Sequence, residues 1–136
     1  MMEILFRGKR THNGEWVYGD FVRGNERKSL RDSIFVYDSE TQSFNDYEIN
    51  PSTLGQYTGL TDKNGKRIFE GDVAKVLQGK DKDIAYVGFE NGAFMLYPKT
   101  GNIYERTLWE YWYNDWDVEV IGNIHDNKLE DFDNGR

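Results

Sequence analysis

The chain has 136 residues, no cysteine, 15% aromatic residues and a formal net charge of -7 at pH 7. This length predicts one domain, or one small core with an appended subdomain. The absence of cysteine excludes disulfides, thiolate zinc sites and cysteine nucleophiles. The acidic balance disfavours nucleic acid and anionic membranes as partners, and no run approaches the roughly 20 apolar residues of a membrane span.

The first part of the chain, about residues 1–53, predicts a β-rich N-terminal portion. Strands are expected at residues 4–7 and 16–22 around the Asn13-Gly14 turn, and at 34–37 and 44–49 around a turn-rich spacer. Arg7, Lys9 and Arg10 are expected to be exposed near the first hairpin. Residues 24–33 predict a polar loop, and residues 52–54 a helical turn or bend after a proline that blocks strand pairing.

Residues 54–77 carry the clearest local signals. A tight turn is expected at residues 62–66, because Asn64 and Gly65 tolerate positive φ, and strands are expected on either side at 56–60 and 67–69. A corner at residues 70–72 then leads into a strand at 73–77. A calcium loop starting at Asp62 is rejected, since Lys66 and Arg67 occupy its fifth and sixth positions.

The second half of the chain predicts further short strands joined by tight corners. Residues 78–83 read as a charged loop, and residues 84–90 and 93–97 flank Asn91-Gly92 as a two-residue hairpin. Val118 and Val120 alternate with acids as in a half-buried strand. We therefore predict a mainly β protein, with an SH3-like small barrel over about residues 54–125 and an acidic, frayed tail at 126–136.

One or two short helices are expected, the main one at residues 103–116. Leu108, Trp112 and Trp116 are spaced four apart, and Trp109 and Tyr113 fill the adjoining row, which predicts one wide aromatic face that closes one end of the small barrel. Because Trp and Tyr also favour strands, a strand stays open as the alternative for this segment.

Three segments of the sequence resemble the YopX family. They are ILFRGKRTHNGEWVYGDFV at residues 4–22, QYTGLTDKNGKRIFEGDVAKV at 56–76 and VEVIGNIHDN at 118–127, and they occur in the family's order. The resemblance implies a small protein encoded by a phage or prophage of a Gram-positive bacterium. The absence of cysteine fits a location in the cytoplasm of such a host. The resemblance implies no catalytic residues, and residues 25–53 and 101–116 match no family pattern.

The residue types that carry most enzyme chemistry are sparse. His12 and His125 are the only imidazoles. Each is expected in a turn, His12 next to Asn13 and His125 two residues from Asn123, where a surface role is usual. Glu70, Asp72, Glu119 and Asp126 offer carboxylate pairs, but acids are too common here for this to be informative, and Asp72 is expected to bond nearby backbone N–H groups. We expect no catalytic, cofactor or metal site.

The aromatic segment is the strongest candidate for a contact surface, since Trp and Tyr concentrate binding energy at interfaces. The predicted partner is a second copy of the chain or a host or phage protein, and the predicted contact residues are Trp109, Tyr111, Trp112, Tyr113 and Trp116. The alternative is a nucleic-acid-associated protein that uses N-terminal basic residues. These residues are Arg7, Lys9, Arg10, Arg23, Arg27, Lys28 and Arg31.

Overall fold

The computed structural model describes residues 3–132, and the chain divides into two compact units, Met1–Tyr57 and Thr58–Arg136. The described residues are mainly β, with eleven strands in antiparallel sheets and one six-residue α-helix. None of the helices in this described range has the length and apolar character needed to cross a bilayer. The predicted division into residues 1–53, 54–125 and 126–136 stays a prediction, with residues 133–136 outside the described part.

The first unit is an antiparallel sheet of successive hairpins. Its strands are β1 (Phe6–Lys9), β2 (Trp16–Val22), β3 (Ser33–Asp38), β4 (Ser43–Glu48) and the start of β5 (Gly55–Thr61). β1 pairs with both β2 and β5, and β3 lies between β2 and β4. The two hairpins predicted from turn residues are confirmed, with strand ends that differ by a few residues.

Short 3-10 turns interrupt the loops of the first unit. The predicted polar loop contains one turn at Glu26–Lys28, where the Asn25 side chain accepts a hydrogen bond from the Arg27 N–H. The predicted helical turn after the proline is present at Pro51–Thr53, capped by Asn50. Local side-chain caps therefore shape both loops.

The second unit continues from β5 through six more strands. They are β6 (Arg67–Phe69), β7 (Asp72–Gln78), β8 (Asp81–Glu90), β9 (Ala93–Pro98), β10 (Arg106–Thr107) and β11 (Asp117–Asn123), with α1 (Leu108–Tyr113) before the last. The hairpin at Asn91-Gly92 is confirmed, and both residues have positive φ, 52° and 82°. This is the backbone geometry that short hairpin turns need.

The prediction of a charged loop at residues 78–83 is wrong. Gln78 pairs with Asp81, so the turn has only two residues, and Gly79 provides the positive φ that the turn requires. Asp83 lies fully buried in β8, where its carboxylate accepts hydrogen bonds from the N–H groups of Ile84, Thr100 and Asn102. Backbone donors replace water around this charge, so a charged residue is tolerated inside a strand.

The main sheet of the second unit has the order β10-β9-β8-β7-β11. In the described residues its two edge strands do not pair with each other, and α1 occupies the connection between them. No closed barrel is found there, so the predicted SH3-like barrel is not confirmed.

The core of this unit is built from alternate residues of the central strands and from α1. In β7 and β8 the inward positions are Ala74, Val76, Ala85 and Val87, as the two-residue period of a strand requires. The full cluster also contains Ile68, Leu96, Ile103, Leu108, Tyr111, Val118 and Val120. α1 is thus held in place by its own buried side chains.

A second buried carboxylate, Asp62, ties the turn at residues 62–66 to β11. Its Oδ1 accepts the N–H groups of Asn64 and Lys66 at 2.9 Å, and its Oδ2 accepts the N–H of Val120, also at 2.9 Å. The predicted turn is confirmed. Asp62 acts as a structural anchor because all three bonds are to backbone donors.

Candidate functional site

The helix α1, Leu108–Tyr113, is shorter than predicted at both ends. Residues 106–107 are extended and pair with β9, and the Thr107 hydroxyl then accepts the Glu110 N–H at 3.2 Å as the N-terminal cap. At the other end Asn114 caps the last turn, and Asp115 has a left-handed φ of 57°. The prediction of a helix over residues 103–116 is therefore wrong in its extent.

The predicted aromatic face of α1 is also wrong in its orientation. The helix buries Leu108 and Tyr111, three residues apart, while Trp112 stays 54% exposed. Six residues provide fewer than two turns, so one pair of side chains suffices to attach the helix to the core. Trp116 lies beyond the helix and packs edge-on against Tyr111, with ring centroids 5.0 Å apart.

Tyr111 is a core residue, although it was predicted as a contact residue. Its hydroxyl donates a hydrogen bond to the carbonyl oxygen of Tyr104 at 3.1 Å. Burial raises the pKa of Tyr111 to about 12, and this phenol is therefore neutral at physiological pH. Its role is to anchor α1.

The outer side of α1 carries exposed aromatic side chains. Trp109 and Tyr113 stack on each other with ring centroids 4.8 Å apart, and both are more than half exposed. Trp112 is similarly exposed, and Tyr104, just before β10, is 75% exposed. We call these four residues the α1 surface. Aromatic exposure concentrated in one ten-residue segment is typical of a contact surface.

A groove of about 300 Å³ lies beside this surface, and we call it the α1 groove. Trp112 and Trp116 line it together with the exposed acids Asp115 and Asp117 and with Lys63. Its remaining lining residues are Thr61, Asp62, Ile68, Leu108 and Val118. Three of the predicted contact residues lie on the α1 surface, Trp116 lines only the groove, and Trp112 belongs to both.

Tyr104, Asp115 and Asp117 were not predicted from the sequence, because no local pattern marks them as part of a surface. One signal was available for the end of the helix. Asn and Asp tolerate the left-handed conformation, so Asn114-Asp115 after an aromatic run is typical of a helix end. Ending the helix there would have placed Asp115 and Asp117 beside Trp112.

Arg106 shows how this part of the chain holds a cation. Its guanidinium lies 5.8 Å from the Tyr104 ring centroid and 5.7 Å from that of Trp116. It also forms an ion pair with Glu110 at 3.1 Å. The arrangement combines aromatic rings with one carboxylate, which is a favourable setting for a guanidinium.

The seven basic residues of the nucleic-acid alternative lie in three different environments. Arg7, expected to be exposed, is only 6% exposed and lies against the Trp16 ring at 4.6 Å, because stacking and burial stabilise its long side chain. Lys9, Arg10 and Arg31 line a cleft of about 680 Å³ in the first unit. Arg23, Arg27 and Lys28 are exposed but are not among the residues that line this cleft.

Acidic side chains balance the charge of that cleft. Glu26, Asp32 and Glu48 line it beside the three basic residues, and the Asp32 carboxylate accepts the Gly24 N–H at 2.6 Å. A phosphate would meet as many negative as positive groups there. The cleft therefore lacks the excess of positive charge typical of nucleic-acid interfaces.

Of the other residues considered for chemistry, His12 and His125 lie in turns and Asp72 begins β7. His12 is exposed in its turn, and the backbone N–H of His125 donates to Asn123 Oδ1 at 3.0 Å. Asp72 accepts the Phe69 N–H at 2.8 Å, which confirms the expected backbone contact. Within residues 3–132 no group of three or more His, Asp or Glu side chains is arranged to hold a metal ion.

Comparison with known proteins agrees with the resemblance found in the sequence. The family profile described as YopX protein matches residues 5–130. The crystal structure of protein EF1440 from Enterococcus faecalis is similar in fold, with a TM-score of 0.55 and 20% sequence identity over 93% of this chain and 96% of that chain. No curated protein matches the chain.

Proposed function

We propose that this protein, which belongs to the YopX family, is a non-enzymatic protein-binding module whose contact surface is the α1 surface. The observation that carries the proposal is the exposure of Trp109, Trp112 and Tyr113 on a helix whose inner side is fully committed to the core. A helix anchored in this way presents its aromatic side chains with little loss of conformational entropy on binding.

The energetic gain from covering this surface is large enough for a specific contact. Each of the three aromatic side chains leaves about 100 Å² accessible, which at roughly 25 cal/mol per Å² gives about 2.5 kcal/mol per residue on burial. Association itself costs several kcal/mol, and burial of the three aromatic side chains together offsets this cost. These side chains would therefore form the hot spot of the interface.

The proposal extends to the setting of the protein. The partner is a host or phage protein or a second copy of this chain, and the site of action is the cytoplasm of a bacterial host, in keeping with the family resemblance and the absence of cysteine. The sheet of the second unit serves in this proposal as an SH3-like scaffold that presents α1. Its support is the strand order, in which β11 returns to pair with the first strand, β7.

The test is a double substitution, Trp109→Ala with Trp112→Ala, compared with Phe44→Ala. Phe44 is 55% exposed in the first unit and so matches the exposure of the tested residues. We expect affinity capture from the bacterial host, or self-association in sedimentation equilibrium, to be lost in the double variant and kept in the control. Equal binding by both variants would refute the proposal.

A nucleic-acid role has a separate readout. Salt-dependent retention on heparin, reduced by substitution of Lys9 and Arg10 but unchanged in the Trp109 and Trp112 variant, would contradict the proposal and support that alternative. We expect no retention, because the cleft around Lys9 is charge-balanced.

A further inference from the structure

We infer that the α1 groove receives an arginine or lysine side chain from a basic segment of a different protein. This inference rests on the proposed function and specifies the chemistry of the partner. It is carried by the juxtaposition, in one groove, of two indole rings and two exposed carboxylates.

The lining of the groove is complementary to a cation. Trp112 and Trp116 line the groove with aromatic side chains, and Asp115 and Asp117 bring negative charge to the same groove. Asp62 also lines the groove, but its carboxylate is occupied by three backbone N–H groups. Among the described residues that line the groove, Lys63 is the single basic one, so negative charge is in excess.

The chain already uses this combination beside the groove, at Arg106. The guanidinium of Arg106 lies near the Tyr104 and Trp116 rings and pairs with Glu110. Trp112 with Asp115 and Asp117 offers an incoming guanidinium the same pairing of aromatic ring and carboxylate. Arginine fits this setting better than lysine, since its planar group can stack on a ring and bond a carboxylate at once.

The volume of the groove limits what can enter. A groove of about 300 Å³ is at the lower end of the range for small-molecule sites, which is roughly 300 to 1,000 Å³. One long side chain fits such a space, while the rest of the partner would lie against the α1 surface. The α1 groove would thus bind the charged side chain of the partner, and the α1 surface would bind the apolar part of the partner.

Charge favours a different protein over a second copy. The chain has a net charge of -7, and residues 69–136 contain seven basic and fourteen acidic side chains. Two copies would repel each other, whereas a basic partner would be attracted over long range. Phosphate-bearing ligands are disfavoured for the same reason.

The experiment titrates the full chain with hexa-arginine and, separately, with hexa-citrulline, which has nearly the same shape without the charge. The readout is the indole N–H signals in an NMR correlation spectrum, which number four because the chain has four tryptophans. They are assigned with single Trp→Phe variants. We expect hexa-arginine to shift the Trp112 and Trp116 signals, and hexa-citrulline to leave them in place.

The test variant combines Asp115→Asn with Asp117→Asn. The control combines Asp81→Asn with Glu130→Gln, which removes the same amount of charge at exposed positions of the second unit. Asn tolerates the left-handed conformation of residue 115, so the backbone there is preserved. We expect affinity for hexa-arginine to fall about tenfold in the first variant and less than twofold in the control.

Three results would overturn the inference. They are equal weakening in both variants, equal binding of the citrulline peptide, and self-association that depends on Asp115 and Asp117. The proposed function fails separately, when Trp109→Ala with Trp112→Ala leaves partner binding unchanged. The two proposals are distinguished when the tryptophan variant loses binding but the Asp115 and Asp117 variant binds fully. That result would support the proposed function and refute the inference.

Discussion

Replacing Asp62 should destabilise the second unit more than any exposed acid can. The carboxylate is 7% exposed and bonds two N–H groups of its own turn and the Val120 N–H of β11, 58 residues away. In Asp62→Ala all three donors lose their acceptor. The turn itself retains its backbone bonds, from Asp62 N–H to the Lys66 carbonyl and from Gly65 N–H to the Asp62 carbonyl.

The expected loss of stability in Asp62→Ala depends on how deeply each of the three N–H donors is buried. The Val120 N–H is buried, so its lost bond to a charged acceptor costs about 2 to 3 kcal/mol. Asn64 and Lys66 are exposed residues whose N–H groups can turn to water, which limits their cost to about 0.5 to 1 kcal/mol each. The expected loss for Asp62→Ala is therefore about 3 to 5 kcal/mol.

Asp62→Asn nearly preserves the shape of the side chain but replaces one of its two acceptor oxygens by an NH₂ group. The amide has one oxygen, so it can serve the turn or Val120, and its NH₂ group would then face a backbone N–H. We expect a loss of about 2 to 3 kcal/mol. Asp81→Asn at the exposed start of β8 is the control and should change stability by less than about 0.5 kcal/mol.

The assay is urea unfolding followed by tryptophan fluorescence. Trp109, Trp112 and Trp116 lie in the second unit, so the signal reports mainly on the unit that contains Asp62. The expected result is a lower midpoint at an unchanged slope. Midpoints of both Asp62 variants close to that of Asp81→Asn would refute the assignment of Asp62 as a buried anchor.

Two other predictions test the packing and the ionisation of particular residues. Gly19→Ala should destabilise the first unit by about 2 kcal/mol or more, because the added Cβ would overlap the backbone carbonyl oxygen of Phe35, and an unchanged urea midpoint would contradict this. Desolvation and the hydrogen bond to Glu90 raise the pKa of Tyr97 to about 12, so Glu90→Gln should make Tyr97 ionise at lower pH in an absorbance titration of tyrosinate. Burial raises the pKa of Tyr111 from 10.0 to about 12, so the phenol ionises at lower pH in the unfolded chain than in the folded protein. The contribution of Tyr111 to the free energy of unfolding is complete below pH 10 and should decline as the pH rises from 10 towards 12. Unfolding midpoints that stay constant across this range would contradict that expectation.

The positions of the tight turns could be predicted from the sequence. Gly65, Asn91 and Gly92 adopt positive φ in the expected turns, and the tolerance of positive φ is a property of those residue types alone. The strands between the turns follow from short runs of β-branched and aromatic residues. The family resemblance depends on the same local segments, so it too was visible in the sequence.

Burial and orientation were decided by the tertiary structure. Tyr111 faces the core and Trp112 faces out because α1 is only six residues long, and its length depends on pairing between residues 106–107 and β9. Asp83 lies inside a strand because Thr100 and Asn102 bring donors to it from a separate loop. Contacts between residues far apart in the chain set which side chains are covered, and a pattern within one segment does not contain that information.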